Sequence, residues 1–133
     1  MPLLIDFQSP CDNYKLTFED DGKVAYGYLK NRSNIIGDVW LYNRCETPNR
    51  CEWTDKKNIP FANSTEYVSK EAHYQKDVGS DDVLVTWEYG GHGPVAYIYV
   101  HEDLLGIVGK GDKPGYSKFA VKDGPLGRKM EIV

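Results

Sequence analysis

The side chains in this sequence that could do chemistry are mainly carboxylates in short runs. Two such runs are Glu19-Asp20-Asp21 and His101-Glu102-Asp103. Neighbouring carboxylates can bind calcium or transfer protons in acid-base catalysis. Each run, however, falls where the chain is predicted to turn between strands, and acidic residues are common in turns for conformational reasons alone. We therefore interpret both runs as solvated surface charge.

The sequence lacks the spacing of a metal, phosphate or nucleophile site. Zinc ligands are paired about two to four residues apart, whereas Cys45 and Cys51, whose redox state the sequence leaves open, are more widely spaced. The segment 109–115 has the glycines and lysine of a phosphate loop, but a predicted strand follows it in place of a helix. We interpret this segment as a wide hairpin turn. The sequence therefore predicts no cofactor, no bound metal and no enzymatic activity.

Length and charge restrict the class of protein. A chain of 133 residues can close one hydrophobic core, so residues 1–133 are predicted to form a single domain. The formal net charge of −4 disfavours direct binding to nucleic acid and favours a basic partner. The longest apolar stretch, at 104–108, is far shorter than the ~18 residues of a membrane-spanning helix. Residues 1–6 lack the pattern of a secretory signal, so we expect a cytosolic protein with no membrane partner.

Hydrophobic residues alternate with other residues along several short stretches, which is the period of a β-strand. Between the stretches 13–19 and 23–30, the residues Asp20, Asp21 and Gly22 predict a tight hairpin. Further stretches, bounded by glycine, proline, asparagine or aspartate, lie at 3–7, 35–43, 82–89, 94–101, 104–110 and 116–121. Short strands at regular spacing, without alternating helices, are typical of antiparallel sheets. We predict a mainly β, single-domain antiparallel β-sandwich or partly open β-barrel with at most one short helix.

Aromatic residues are abundant, with ten tyrosines and three tryptophans. Strands favour packed aromatic rings, so Trp40, Trp87 and Tyr26 are predicted to lie in the core. A long loop over 44–62 and a short helix over 64–76 are predicted between the two groups of strands. Aromatic rings near loops are typical of binding surfaces. Together with acidic side chains they give the predicted partner-binding residues: Glu19, Asp20, Asp21, Glu46, Glu52, Trp53, Asp55, Tyr67, Tyr74, Asp81, Asp82 and Tyr89.

Several blocks of the sequence resemble a group of short bacterial proteins. The blocks are Asp-Val-Trp-Leu-Tyr-Asn at 38–43, Pro-Phe-Ala-Asn at 60–63, Glu-Tyr-Val at 66–68, Lys-Pro-Gly-Tyr-Ser-Lys at 113–118 and Asp-Gly-Pro-Leu at 123–126. The resemblance covers most of the chain and implies no catalytic residue. In its size, acidity and lack of motifs the chain is similar to immunity proteins, which neutralise toxins that competing bacteria deliver to one another.

The expected function is that of an immunity protein that binds a toxin and covers its active or substrate-binding surface. Acidic side chains would attract a basic toxin domain, for example a nuclease, and desolvated aromatic rings would hold it. A different class of function is a small-molecule-binding β-barrel, or an enzyme with tyrosines, His101 and carboxylates in the barrel mouth. A filled interior would disfavour that alternative. A third possibility is an oligomer formed through an exposed sheet edge.

Overall fold

The structure is a computed structural model that describes residues 3–10, 13–44, 73–90, 93–121, 123 and 127–130. In these residues the strands form two sheets, and the strands of each sheet follow one another in sequence order. The first sheet contains β1 (Leu3–Gln8), β2 (Tyr14–Asp20), β3 (Val24–Asn31) and β4 (Asn34–Asn43). The second contains β5 (Val83–Gly90), β6 (Gly93–Val100), β7 (Asp103–Gly109), β8 (Tyr116–Ser117) and β9 (Arg128–Lys129). Neighbouring strands are antiparallel except for β8 and β9, which are parallel.

The predicted fold class is confirmed, and the two sheets are not closed into a barrel. The described helical structure is a single 3-10 turn, Ser80–Asp82, just before β5. Most of the helix predicted over 64–76 lies outside the described residues. Its described end is not helical, because His73 forms a bridge with Asn43 at the end of β4. Within the described part of the chain, no helix has the length and apolar character needed to cross a membrane.

The hairpin predicted between β2 and β3 is confirmed, with Asp20 opposite Ala25. Gly22 has a φ of 90°, a conformation that glycine adopts without steric cost. The Asp21 side chain fixes the turn, because its Oδ1 accepts the backbone N–H of Lys23 at 2.8 Å and that of Val24 at 2.9 Å. An aspartate side chain that bonds the backbone two residues on is a common way of making a turn. The acidic character of this turn therefore has a structural cause.

The inner faces of the two sheets pack so closely that a side chain at either of two glycine positions would displace a neighbouring side chain. A Cβ atom added at Gly27 in β3 would lie 2.5 Å from Ile98 Cδ1 of the second sheet. A Cβ atom at Gly106 in β7 would lie 2.5 Å from Leu41 Cδ2 of the first sheet. Side chains of both sheets fill the space around these contacts and form the buried core: Leu16, Phe18, Leu29, Val39 and Leu41 from the first sheet, and Ala96, Ile98, Val100, Leu105 and Val108 from the second.

The central strands β3 and β6 direct small or aliphatic residues inward and tyrosines outward. Tyr26 alternates with Gly27, which faces the second sheet, and so shares the other face of the first sheet with its strand partner Trp40. There Tyr26 is partly buried and packs against the core, in line with its predicted position. Trp40 is fully buried as predicted, and Trp87 is partly buried. Both faces of a central strand can be apolar, so alternation alone does not show which face meets the other sheet.

Burial of tyrosines in the first sheet has a consequence at alkaline pH. Burial, together with the nearby Glu19 carboxylate, raises the pKa of Tyr28 to about 12. Burial also raises the pKa of Tyr26 and of Tyr42. The unfolded chain ionises first, at a tyrosine pKa of about 10, and so binds fewer protons than the folded chain above that pH. We expect this stabilisation to be complete below pH ~10 and to be lost as the pH rises through about 12.

Two measurements test this expectation: an ultraviolet titration of tyrosine ionisation, and denaturant unfolding at each pH. Tyrosines that ionise only as the protein unfolds are expected, and Tyr28→Phe should make stability fall less steeply with pH. Reversible ionisation of all ten tyrosines in the folded protein near their ordinary pKa would contradict this expectation.

The segment between β7 and β8, predicted as a wide hairpin turn, bonds to the free edge of β4. The Gly111 N–H donates to Ile36 O at 2.7 Å, and the Gly115 N–H donates to Asp38 O at 2.6 Å. The Asp38 N–H donates to Asp112 O at 2.9 Å. This segment therefore closes one sheet edge with backbone bonds, which occupy the amides of Gly111 and Gly115.

Candidate functional site: the acidic end

Turns from both sheets meet at one end of the sandwich. The β2–β3 turn and Arg44 come from the first sheet, and the 3-10 turn and the β6–β7 turn come from the second. The segment 73–79 passes between them. We call this region the acidic end, after its solvent-accessible carboxylates: Asp21, Asp77, Asp81, Asp82, Glu102 and Asp103.

Asp20 is the internal anchor of this end. Its side chain is only 4% exposed and its Oδ2 accepts two hydrogen bonds of 2.8 Å, from the Tyr42 hydroxyl and from Arg44 Nε. A buried charge is tolerated only when it is paired and hydrogen-bonded, and here both conditions hold. The Arg44 guanidinium also donates through Nη1 to the carbonyl oxygens of Tyr74 at 3.1 Å and Lys76 at 2.6 Å. Arg44 therefore ties the segment 73–79 to the first sheet.

A series of stacked rings links the first sheet to the second. Tyr74 stacks on Tyr42 with ring centroids 4.6 Å apart, and on its other side the His101 ring lies at 6.3 Å. The Phe119 ring lies 6.3 Å from Tyr74. Burial raises the pKa of Tyr74, so its hydroxyl stays protonated at neutral pH. These ring contacts connect the two sheets at the acidic end.

His101 holds two of the turns together. Its Nε2 lies 2.7 Å from Asp77 O, and its Nδ1 lies 3.5 Å from Asp82 Oδ1. Asp82 also accepts the Gly79 N–H through Oδ2 at 2.8 Å, which closes the 3-10 turn. His101 and Glu102 have φ values of 50° and 70°, the conformation of a two-residue hairpin turn. The turn predicted at Glu102 and Asp103 is thus shifted by one residue.

An open groove of about 720 Å³ runs between these turns and the outer face of the second sheet. Asp81, Asp82 and Glu102 line one side of it, and the side chains of Leu84 and Tyr99 line the other. Leu84 is 59% exposed. His101 is the only basic residue among the described residues of the groove. Carboxylates beside an aromatic ring and an exposed leucine suit a cationic side chain with an apolar stem, such as lysine or arginine.

The chain was compared with protein-family models, with curated proteins and with solved structures. None of them matches it. The acidic end must therefore be interpreted from its own chemistry.

The predicted partner-binding residues fall into three groups in the structure. Asp21, Asp81 and Asp82 lie together at the acidic end, and Glu19 is adjacent on the outer face of the first sheet. Asp20 and Tyr74 lie there too and are largely buried, with 3% and 9% of their surface exposed. Tyr89 is 50% exposed at the far end of β5. Five predictions lie outside the described residues: Glu46, Glu52, Trp53, Asp55 and Tyr67.

Sequence reasoning missed the groove's apolar side. Leu84 and Tyr99 lie opposite each other on β5 and β6, out of phase with the core residues Val83 and Val100. The sequence contains this information, because Leu84 and Tyr99 alternate with Val83 and Val100. Glu102 was interpreted as solvated surface charge and was not predicted to bind a partner. The sequence of one turn does not show that a second acidic turn packs beside it. Among the described residues, no group of three or more histidine, cysteine, aspartate or glutamate side chains could hold a metal ion.

Proposed function

We propose that this chain is a protein-binding protein that neutralises a bacterial toxin by covering a basic surface of that toxin with its acidic end. The observation that carries the proposal is the convergence of carboxylates from separate turns beside an exposed apolar groove. Opposite charge speeds the encounter of two proteins, and apolar contacts then hold the complex. The chain resembles a group of short bacterial proteins and is similar to immunity proteins in size, acidity and lack of motifs, which supports this class of partner.

The chemistry of the groove favours a basic partner over other ligands. Asp81 and Glu102 are exposed, and the Arg44 guanidinium is directed inward toward Asp20 and two carbonyl groups. A toxin that acts on nucleic acid needs a basic surface to hold phosphates. That surface is what the acidic end would cover, so a nuclease is the toxin we propose as its partner.

The alternative of a ligand site in a barrel mouth is not proposed. The described strands form two sheets that do not close into a barrel, and side chains fill the space between them. The grooves found in the described part of the chain are open ones at the surface.

Binding to the protein encoded by the neighbouring gene tests the proposal. It is measured for the wild type and for variants of this chain in which one charge is reversed. Glu102→Lys should weaken the complex by about tenfold or more and slow its association, because a reversed rim charge repels a basic partner. Added salt should weaken the wild-type complex in the same way. The measurements are binding kinetics at several salt concentrations and survival of cells that express the toxin.

The control is Asp123→Lys, which makes the same charge change at an exposed position outside the acidic end. It should bind like the wild type. Equal weakening by both variants would show only an effect of net charge. Failure of the wild-type protein to bind the neighbouring product, or to protect cells from it, would refute the proposal.

A further inference from the structure

β5 lies at one edge of the second sheet. On its outer side no strand neighbours it among the described residues. The strand is 8 residues long, pairs with β6 without a bulge, and contains neither proline nor lysine. Edge strands of this kind present backbone N–H and C=O groups that can pair with another strand, and proteins usually block them.

The other sheet edges are blocked or short. The edge of β4 is bonded to the segment 111–115. β1 has an exposed carboxylate near its middle, Asp6, which accepts a 2.7 Å hydrogen bond from Thr17 and pairs with Lys15 at 3.5 Å. A charge at that place opposes pairing with a second strand. β9 is only 2 residues long. β5 carries one exposed carboxylate, Glu88, which accepts a 2.8 Å hydrogen bond from the Tyr97 hydroxyl, but this charge lies toward the end of the strand. Among the described strands, β5 is thus the long edge without a charge at its centre.

Apolar surface remains exposed beside this edge. On the inner face of β5, Val85 and Trp87 are only partly buried. On the outer face Leu84 is 59% exposed. Another strand placed against β5 would cover these side chains and remove apolar area from water.

We propose that β5 pairs antiparallel with β5 of a second copy of this chain, with Thr86 on the two-fold axis. This register places Val85 opposite Trp87 of the second copy, a contact of a β-branched with an aromatic residue, which is favourable across strands. It places Leu84 opposite Glu88, so the two Glu88 side chains do not face each other. The interface is the same patch on both copies, as a two-fold dimer requires.

The dimer goes beyond the proposed toxin binding and does not depend on it. It would join the second sheets of two copies into one continuous sheet. It would also bring Glu88 of the second copy next to Leu84 in the groove of the first. Each acidic end would then gain one carboxylate from its neighbour.

Sedimentation of the full chain over a wide range of concentration tests the proposal. The wild type is expected to dimerise. Thr86→Lys should weaken the dimer by about tenfold or more, because two like charges would meet on the axis. Leu84→Lys is the matched control, since it adds the same charge on the same face but opposite Glu88, and it should dimerise at least as well as the wild type.

Cross-linking tests the register even where a lysine variant does not fold. Thr86→Cys should form a disulfide-linked dimer under oxidation, because two residues directly opposite on paired strands are close enough for that bond. Leu84→Cys should form no more disulfide-linked dimer than the wild type, whose own cysteines set the background. A wild type that is monomeric throughout, a Thr86→Lys protein that dimerises like the wild type, or equal cross-linking of both cysteine variants would overturn the proposal.

Discussion

Replacing Arg44 with methionine is expected to lower the free energy of unfolding by about 3 to 5 kcal/mol, the usual cost of removing one partner of a buried ion pair. The variant leaves the Asp20 carboxylate buried, with its side chain 4% exposed and without the 2.8 Å bond from Arg44. It also removes the two hydrogen bonds that Arg44 Nη1 donates to the segment 73–79. Chemical denaturation of the two proteins at neutral pH measures the difference.

A double variant separates the ion pair from general packing. Arg44→Met combined with Asp20→Leu removes both charges, so we expect it to be clearly more stable than Arg44→Met alone. If the single and double variants lose the same stability, the two residues are not coupled and the interpretation of Asp20 as the anchor is wrong. Arg44→Met should also bind the toxin more weakly, because the segment that carries Asp77 would lose its hydrogen bonds to Arg44.

Replacing Trp40 with alanine is expected to cost about 3 to 5 kcal/mol, the range measured for large aromatic residues in protein cores. Trp40 is 0% exposed, and its indole N–H donates a 2.8 Å hydrogen bond to Asn43 Oδ1. Asn43 in turn accepts the Tyr74 N–H at its backbone oxygen. The loss should therefore combine a cavity with a loosened end of β4.

Two variants show whether the cavity or the lost hydrogen bond causes most of the destabilisation. Trp40→Phe keeps most of the ring but removes the donor, so we expect a smaller loss of about 1 to 3 kcal/mol. Trp87→Ala is the matched control for a tryptophan that is only partly buried, and it should cost less than Trp40→Ala. Equal losses at the two tryptophans in denaturant unfolding would contradict the burial difference between them.

The hairpins of this fold could be predicted from the sequence because their signals are local. The Asp-Gly turn between β2 and β3 requires only Asp21 and a glycine with positive φ, and both lie within three residues. The alternation of β5 was equally clear. What alternation could not supply was the inward face of β3 and β6, since both faces of those strands carry apolar or aromatic residues.

The site could be predicted only in part because its contacts join distant residues. Asp20 looks like an exposed turn residue until Arg44, 24 residues later, reaches its carboxylate. Likewise, Asp82 and His101 are brought together by the pairing of β5 with β6. The acidic runs were found by their composition, whereas their convergence depends on how the two sheets pack.

Each sheet is made from one uninterrupted stretch of chain, residues 3–43 for the first and 83–129 for the second. A polypeptide cut once between these stretches would keep all the described pairings of β1 to β9 within their own fragments. Reassembly of the two halves would need only contacts between their faces and the ties at Arg44 and β4. Such a division makes the protein a natural candidate for fragment complementation, in which recovery of the fold reports the meeting of two fused partners.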